Sequence, residues 1–150
     1  SAWRPDLSRS EQEGRATVAQ WAKRGHTLVK MGALRYCKGD WCTGGDVDVA
    51  ALDALAANGM YAMVELPTMN PYPTMGSPTW ITQWEHIKGN MSLVMNHPAI
   101  AGWYVCDDCP DGAPARNLSQ AVALMRTFDP YHLIFGAGGS GLAQFTEAQG

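Results

Sequence analysis

Two adjacent acids, Asp107 and Asp108, stand just past an apolar run that covers residues 99–105. An apolar run bounded by Pro98 and Pro110 is typical of a strand that is covered on both faces, as in a parallel sheet. Polar side chains just beyond the carboxyl end of such a strand are where α/β folds place their chemistry. The two acids could instead form a solvated turn that caps the following helix, a role that Asp fills well.

The elements that would position these acids alternate along the chain. Strands are predicted at 26–34, 60–66, 99–105 and 133–136, and helices from Ser8 or Ser10 to Gly25, from Asp46 or Asp48 to Asn58, at 79–96 and at 116–128, with a turn at 111–115. Strict alternation predicts an α/β fold with a parallel sheet. It fits an open doubly wound sheet or a (β/α)8 TIM barrel, of which 150 residues would supply about half.

Composition narrows the class of protein. Hydrophobic residues make up 46% of the chain and charged residues 17%, which are globular values, and the net charge of −3 argues against nucleic acid and anionic membranes as partners. No apolar run approaches the length of a membrane span. The chain begins with Ser1 and shows no signal peptide, so we expect either a removed leader or an internal piece of a longer protein.

A wider pattern surrounds the two acids and carries a family resemblance. The chain reads His-Pro-Ala-Ile-Ala-Gly-Trp-Tyr from residue 97, Asp107-Asp108, then Pro-Asp-Gly from residue 110, and Asp-Pro-Tyr-His from residue 129. This pattern resembles glycoside-hydrolase-type TIM barrels, many of which carry an "HPA…GWY…DEPDG" strand followed by "DPYHP". The resemblance covers residues 25–135, although its specific part is about thirty residues long. It implies that residues 1–150 are one partial barrel domain with the second to fifth of eight strands.

The resemblance also implies an activity. Asp108 matches the family's Glu, the general acid/base, and Asp107 matches the Asp before it, with Glu65 at the preceding strand end as a rim partner. The nucleophile would lie on the seventh strand, outside this chain. The sequence departs from the family pattern in two ways at this point. Asp108 replaces the family's Glu, and Cys109 is inserted before Pro110. The implied function is an O-glycosyl hydrolase acting on a carbohydrate without a cofactor, or a non-catalytic carbohydrate-binding barrel.

Aromatic side chains near the same rim are predicted to contact a sugar by stacking. Trp41 lies in a glycine-flanked loop and Tyr72 in a long loop rich in proline, while Tyr36 and Trp103 complete the set. Trp103 and Tyr104 are neighbours in one strand, so one faces the barrel interior and the other faces the helices.

Four cysteines, Cys37, Cys42, Cys106 and Cys109, are predicted at the same rim. Disulfides or free thiols, a tetrahedral zinc site and a redox pair are the alternatives, and disulfides would suit a secreted protein. Sequons at Asn90 and Asn117 agree with an extracellular location. A structural α/β module stabilised by cysteines or zinc is therefore a further hypothesis.

A partial barrel would expose two sheet edges and its interior, which is an aggregation hazard. We therefore expect the chain alone to be unstable or to associate, and its partner to be the remainder of the same barrel or a second copy. His26, His97 and His132 stand just before predicted strands, at the face of the sheet that carries stability, so structural roles are predicted for them.

Overall fold

A computed structural model describes residues 11–33, 49–66, 76–106 and 112–136. Helices and strands alternate along this part of the chain, in the order α1 (Glu11–Lys23), β1 (Leu28–Ala33), α2 (Val49–Ala57), β2 (Tyr61–Glu65), α3 (Pro78–Val94), β3 (Ile100–Cys106), α4 (Gly112–Phe128) and β4 (Leu133–Gly136). No helix in these ranges is long and apolar enough to cross a membrane.

The four strands form one parallel sheet in which each strand pairs only with its neighbours in the sequence, in the order β1-β2-β3-β4. The predicted α/β class is thereby confirmed. A doubly wound sheet reverses its strand order at a switch point, and the four strands described here run in sequence without such a reversal. Their order is the one that a segment of a (β/α) barrel has.

The helices begin and end where local chemistry requires it. Ser77 caps α3 by accepting a hydrogen bond from the backbone N–H of Trp80 at 3.2 Å, and Pro78 occupies the first helical position, where no N–H is needed. Gly25 and Gly59 follow α1 and α2 with φ of 84° and 65°, the left-handed conformation that ends many helices.

The hydrophobic core lies on one face of the sheet, and all four helices contribute to it. Alternate strand residues point into it, among them Met31, Val64 and Trp103, each fully or almost fully buried. The helix α3 buries five residues at helical spacing, namely Trp80, Trp84, Ile87, Met91 and Val94. A single helix-covered face is expected where successive crossovers share one hand.

The other face of the sheet carries large apolar side chains that no described helix covers. Leu28 pairs in register with Tyr61, and both lie on this face with 41% and 50% of their surfaces exposed. Leu133 of β4 lies on the same face and is 62% exposed. In a closed barrel this face would be the interior, so we call it the inner face.

One helix boundary corrects the sequence prediction. The sequence predicts a turn at 111–115, but α4 already begins at Gly112. Proline is tolerated there because the N–H groups of the first helical turn have no acceptor within the helix. The predicted helix starts at Ser8 or Ser10 and at Asp46 or Asp48 lie outside the described residues.

Candidate functional site

The inner face becomes polar toward the carboxyl end of the sheet. Glu65, the last residue of β2, pairs in register with Tyr104 of β3 and so shares its face. Lys30 of β1 pairs with Met63, two residues before Glu65, and therefore lies on the same face. The pairing register of three adjacent strands thus brings together the carboxylate of Glu65, the ammonium of Lys30 and the phenol ring of Tyr104.

The distances within this group define an ion pair supported by an aromatic ring. The ammonium nitrogen of Lys30 lies 3.4 Å from Oε2 of Glu65 and 4.1 Å from the centroid of the Tyr104 ring. Both charged side chains are largely buried, with 20% and 13% of their surfaces exposed. Such a cation–π contact contributes about 0.5–2 kcal/mol, depending on how far the cation is desolvated. We call Lys30, Glu65 and Tyr104 the inner-face cluster.

This cluster offers both hydrogen-bond donors and hydrogen-bond acceptors on one face of the sheet. The carboxylate of Glu65 accepts hydrogen bonds, and the ammonium of Lys30 donates them. Neighbouring hydroxyl groups can satisfy both, since each hydroxyl donates one hydrogen bond and accepts others. The ammonium also attracts the carboxylate electrostatically across the 3.4 Å that separate Nζ from Oε2.

The sequence predictions at this edge have different outcomes. Glu65 lies at the end of its strand, as predicted. Asp107 and Asp108 directly follow the last residue of β3 in the sequence, but they lie outside the described residues, as do Tyr36, Trp41 and Tyr72. The same holds for the thiol groups of the four cysteines, Cys37, Cys42, Cys106 and Cys109.

Trp103 is a core residue, which corrects its prediction as a sugar-stacking side chain. It has no exposed surface, and its register with Val64 places it on the helix side of the sheet. Its neighbour Tyr104 lies on the inner face instead. The sequence identified one residue for each face, but only the pairing register decides which residue faces which way.

Sequence reasoning missed Lys30, the third member of the inner-face cluster. A usable signal was present, because Lys30 is the only charged residue in the apolar strand β1. A charge inside such a strand is costly unless it is paired, so it should have prompted a search for an acid on the same face.

A second polar group lies at the amino end of the sheet, between α4 and β4. Trp103 donates its indole N–H to Oδ2 of Asp129 at 2.8 Å, and His132 Nδ1 lies 2.7 Å from the same oxygen. Oδ1 accepts from the backbone N–H groups of Tyr131 and His132. Burial raises the pKa of Asp129, but the hydrogen bonds from Trp103 and His132 and the nearby His132 charge lower it, and its pKa is below the usual value.

His97 connects two elements at the same amino end. Its Nδ1 accepts a hydrogen bond from the backbone N–H of Ala99 at 3.2 Å, and its Nε2 lies 3.2 Å from Oδ1 of Asp53 in α2. Because Nδ1 is the acceptor, we assign the ring proton to Nε2, which then donates to Asp53. These contacts give His97 and His132 structural partners, in keeping with the roles predicted for them.

The fold and this geometry define an α/β protein with a sequentially ordered parallel sheet and a polar group at its carboxyl edge. No model of a known protein family matches the chain, and no curated protein matches it either. Among the described residues, no three His, Cys, Asp or Glu side chains come together as a metal site.

Proposed function

We propose that this chain is the second-to-fifth-strand segment of a glycoside-hydrolase-like barrel, secreted from the cell, which binds a carbohydrate at the carboxyl edge of its sheet. The observation that carries the proposal is the position of Glu65, a carboxylate at a strand end on the inner face with Lys30 3.4 Å away. Ligands of (β/α) barrels bind at this edge. The sequence adds Asp107 and Asp108 directly after the neighbouring strand.

In the proposed reaction, Asp108 acts as the general acid/base and protonates the oxygen of the glycosidic bond as that bond breaks. A second carboxylate on the opposite side of the sugar must act as nucleophile or activate a water molecule. This nucleophile is expected outside the chain, on a later strand. Glu65 and Asp107 are rim partners that accept hydrogen bonds from sugar hydroxyls and so orient the sugar.

Binding without catalysis is the second candidate function, and the departures from the family pattern beside Asp108 favour it. Asp108 has one methylene fewer than the family's Glu, and Cys109 stands before Pro110, at the residues that would protonate the glycosidic oxygen. The two candidates share the binding site and differ only in turnover.

A matched pair of substitutions tests the site. Glu65→Gln removes the charge of the inner-face cluster, whereas Glu85→Gln removes an exposed charge that is paired with Lys88 on α3. Binding is measured by isothermal titration calorimetry against soluble β-glucan, xylan, mannan, galactan and starch, and hydrolysis by the release of reducing ends. We expect Glu65→Gln to weaken binding of the recognised glycan at least tenfold, and Glu85→Gln to leave it unchanged.

A third variant separates the two candidates. In a protein that also contains the later strand with the expected nucleophile, Asp108→Asn should abolish hydrolysis and retain binding if the barrel is a hydrolase. If the barrel only binds, wild type and Asp108→Asn should bind equally and neither should hydrolyse the glycan. Binding by the wild type that is equally strong in Glu65→Gln would refute the assignment of the site. Absence of binding and turnover with all five glycans would refute the carbohydrate proposal.

A further inference from the structure

The row of inner-face side chains that contains Glu65 continues to an aromatic ring on β4. Glu65 of β2 pairs in register with Tyr104 of β3, and Tyr104 pairs with Phe135 of β4. The three residues therefore stand side by side toward the carboxyl edge of the sheet. Phe135 is the last residue but one of its strand, and its side chain is partly exposed. It is not one of the aromatic residues predicted from the sequence to contact a sugar.

Gly102 sets the position of the Phe135 ring. It pairs in register with Leu133 and so lies on the inner face, two residues before Tyr104. A Cβ atom at Gly102 would lie 2.7 Å from Cε2 of Phe135, so the ring leans from β4 across β3 into space that a side chain at this position would fill. The ring of Phe135 is thus held against the sheet.

The two aromatic rings of this row differ in what contacts them. The ammonium of Lys30 lies 4.1 Å from the centroid of the Tyr104 ring and occupies one of its faces, and Tyr104 is buried. Within the described ranges, no second aromatic ring and no cation stacks on Phe135. Phe135 is therefore the aromatic surface of the row that a ligand can reach.

We propose that Phe135 is the stacking residue of the carbohydrate site, and that one sugar ring lies between it and the ion pair of Lys30 and Glu65. This inference rests on the proposed function and adds to it the residue that contacts the C–H side of the sugar. The strands β2 and β4 are two strand spacings apart, about 10 Å. One sugar ring fills this span when it contacts both sides.

The chemistry of the two sides is complementary to a sugar. The C–H groups of a sugar ring carry partial positive charge and are attracted to the negative face of an aromatic ring. The hydroxyl groups at the edge of the sugar can exchange hydrogen bonds with the carboxylate of Glu65 and the ammonium of Lys30. An apolar surface with a few placed polar groups is also what small-ligand sites commonly offer.

Substitutions of two inner-face aromatic residues test the stacking role. Phe135→Leu keeps an apolar side chain but removes the aromatic face, and Phe135→Tyr keeps the ring. Tyr61→Leu is the matched control, because Tyr61 is an aromatic residue at the other end of the same face and is 50% exposed. Calorimetry uses whichever of soluble β-glucan, xylan, mannan, galactan and starch the wild type binds. Phe135→Leu should raise Kd about fivefold or more, whereas Phe135→Tyr and Tyr61→Leu should leave it within about twofold of the wild type. Circular dichroism checks that each variant is folded.

Fluorine NMR of the wild-type sequence gives a second measurement that holds even if Phe135→Leu is unfolded. The chain has three Phe residues, so labelling with para-fluorophenylalanine gives few signals. The signal that disappears in Phe135→Tyr belongs to Phe135, and Phe128 is assigned in the same way. Addition of the glycan should shift the Phe135 signal. It should leave unchanged the signal of Phe128, which packs edge-to-face against Trp84 of α3.

The outcomes separate this inference from the proposed function. If the glycan binds and Glu65→Gln weakens its binding, but the Phe135 signal does not move or Phe135→Leu binds like the wild type, the stacking role is wrong and the carbohydrate site stands. Equal weakening by Tyr61→Leu and Phe135→Leu would also overturn the stacking role. Absence of binding with all five glycans would refute the proposed function, and the stacking role with it.

Discussion

Asp129 is the buried carboxyl group that joins α4, β3 and β4. Its two oxygens accept hydrogen bonds from the indole of Trp103, from the ring of His132 and from two backbone N–H groups. A buried acid is tolerated only when its hydrogen-bonding capacity is met in this way. Asp129 therefore fixes both the position of Trp103 on the helix side of the sheet and the start of β4.

Asp129→Asn should lower the free energy of unfolding by about 1–3 kcal/mol, because one oxygen that faces two donors is replaced by an amide that is itself a donor. Urea denaturation measures the loss. The control is Asp53→Asn, which changes the exposed partner of His97 and should cost less than about 1 kcal/mol. Equal decreases in the free energy of unfolding for Asp129→Asn and Asp53→Asn would show that the buried hydrogen bonds at Asp129 contribute no more than the exposed contact of Asp53.

The pH dependence of the free energy of unfolding should reflect the titration of Asp129. The pKa of Asp129 in the folded chain is below its usual value, so its stabilisation is present above the unfolded pKa of about 3.9 and is lost as pH falls through the folded pKa. His132 is the titratable side chain in direct contact with it. The difference in unfolding free energy between wild type and Asp129→Asn should therefore shrink between pH 5 and pH 2. A difference that stays constant over this range would contradict the assignment.

At the scale of elements, the contact between β3 and β4 depends on a glycine. A Cβ atom on Gly102 would overlap the carbonyl oxygen of Leu133 and lie 2.7 Å from Cε2 of Phe135. Gly102→Ala should therefore destabilise the chain by about 1–3 kcal/mol through overpacking. Gly89→Ala is the control, because nothing lies within 4 Å of its Cβ position in α3. It should stabilise the chain by about 0.5–1 kcal/mol, and thermal unfolding distinguishes the two signs.

The elements themselves could be predicted from sequence because their causes are local. Apolar spacing identified the buried face of α3, and the run after Pro98 identified β3. The inner-face cluster could not be predicted in the same way, because Lys30 and Glu65 are 35 positions apart in the sequence and meet only through the register of β1 and β2. A shift of that register by one residue would move Lys30 to the helix side.

Five residues of the pattern that carries the family resemblance have structural contacts in the described part of the chain. His97 holds the turn before β3, Gly102 permits close packing of β3 and β4, and Trp103, Asp129 and His132 form one hydrogen-bonded group. These five residues therefore support the sheet and its packing against the helices. The proposed chemistry depends on Glu65 and on the two acids after β3, of which Asp107 matches the family pattern and Asp108 departs from it.

At the scale of the whole molecule, the sequential strand order bears on how the chain folds during synthesis. Each strand finds its partner in the strand made just before it, so every new helix and strand can dock as soon as it leaves the ribosome. No segment must wait for a distant partner within the described sheet. Pauses in translation between one strand and the next should therefore have little effect on the yield of folded chain. The edge of the most recently formed strand would remain exposed only until the next strand pairs with it.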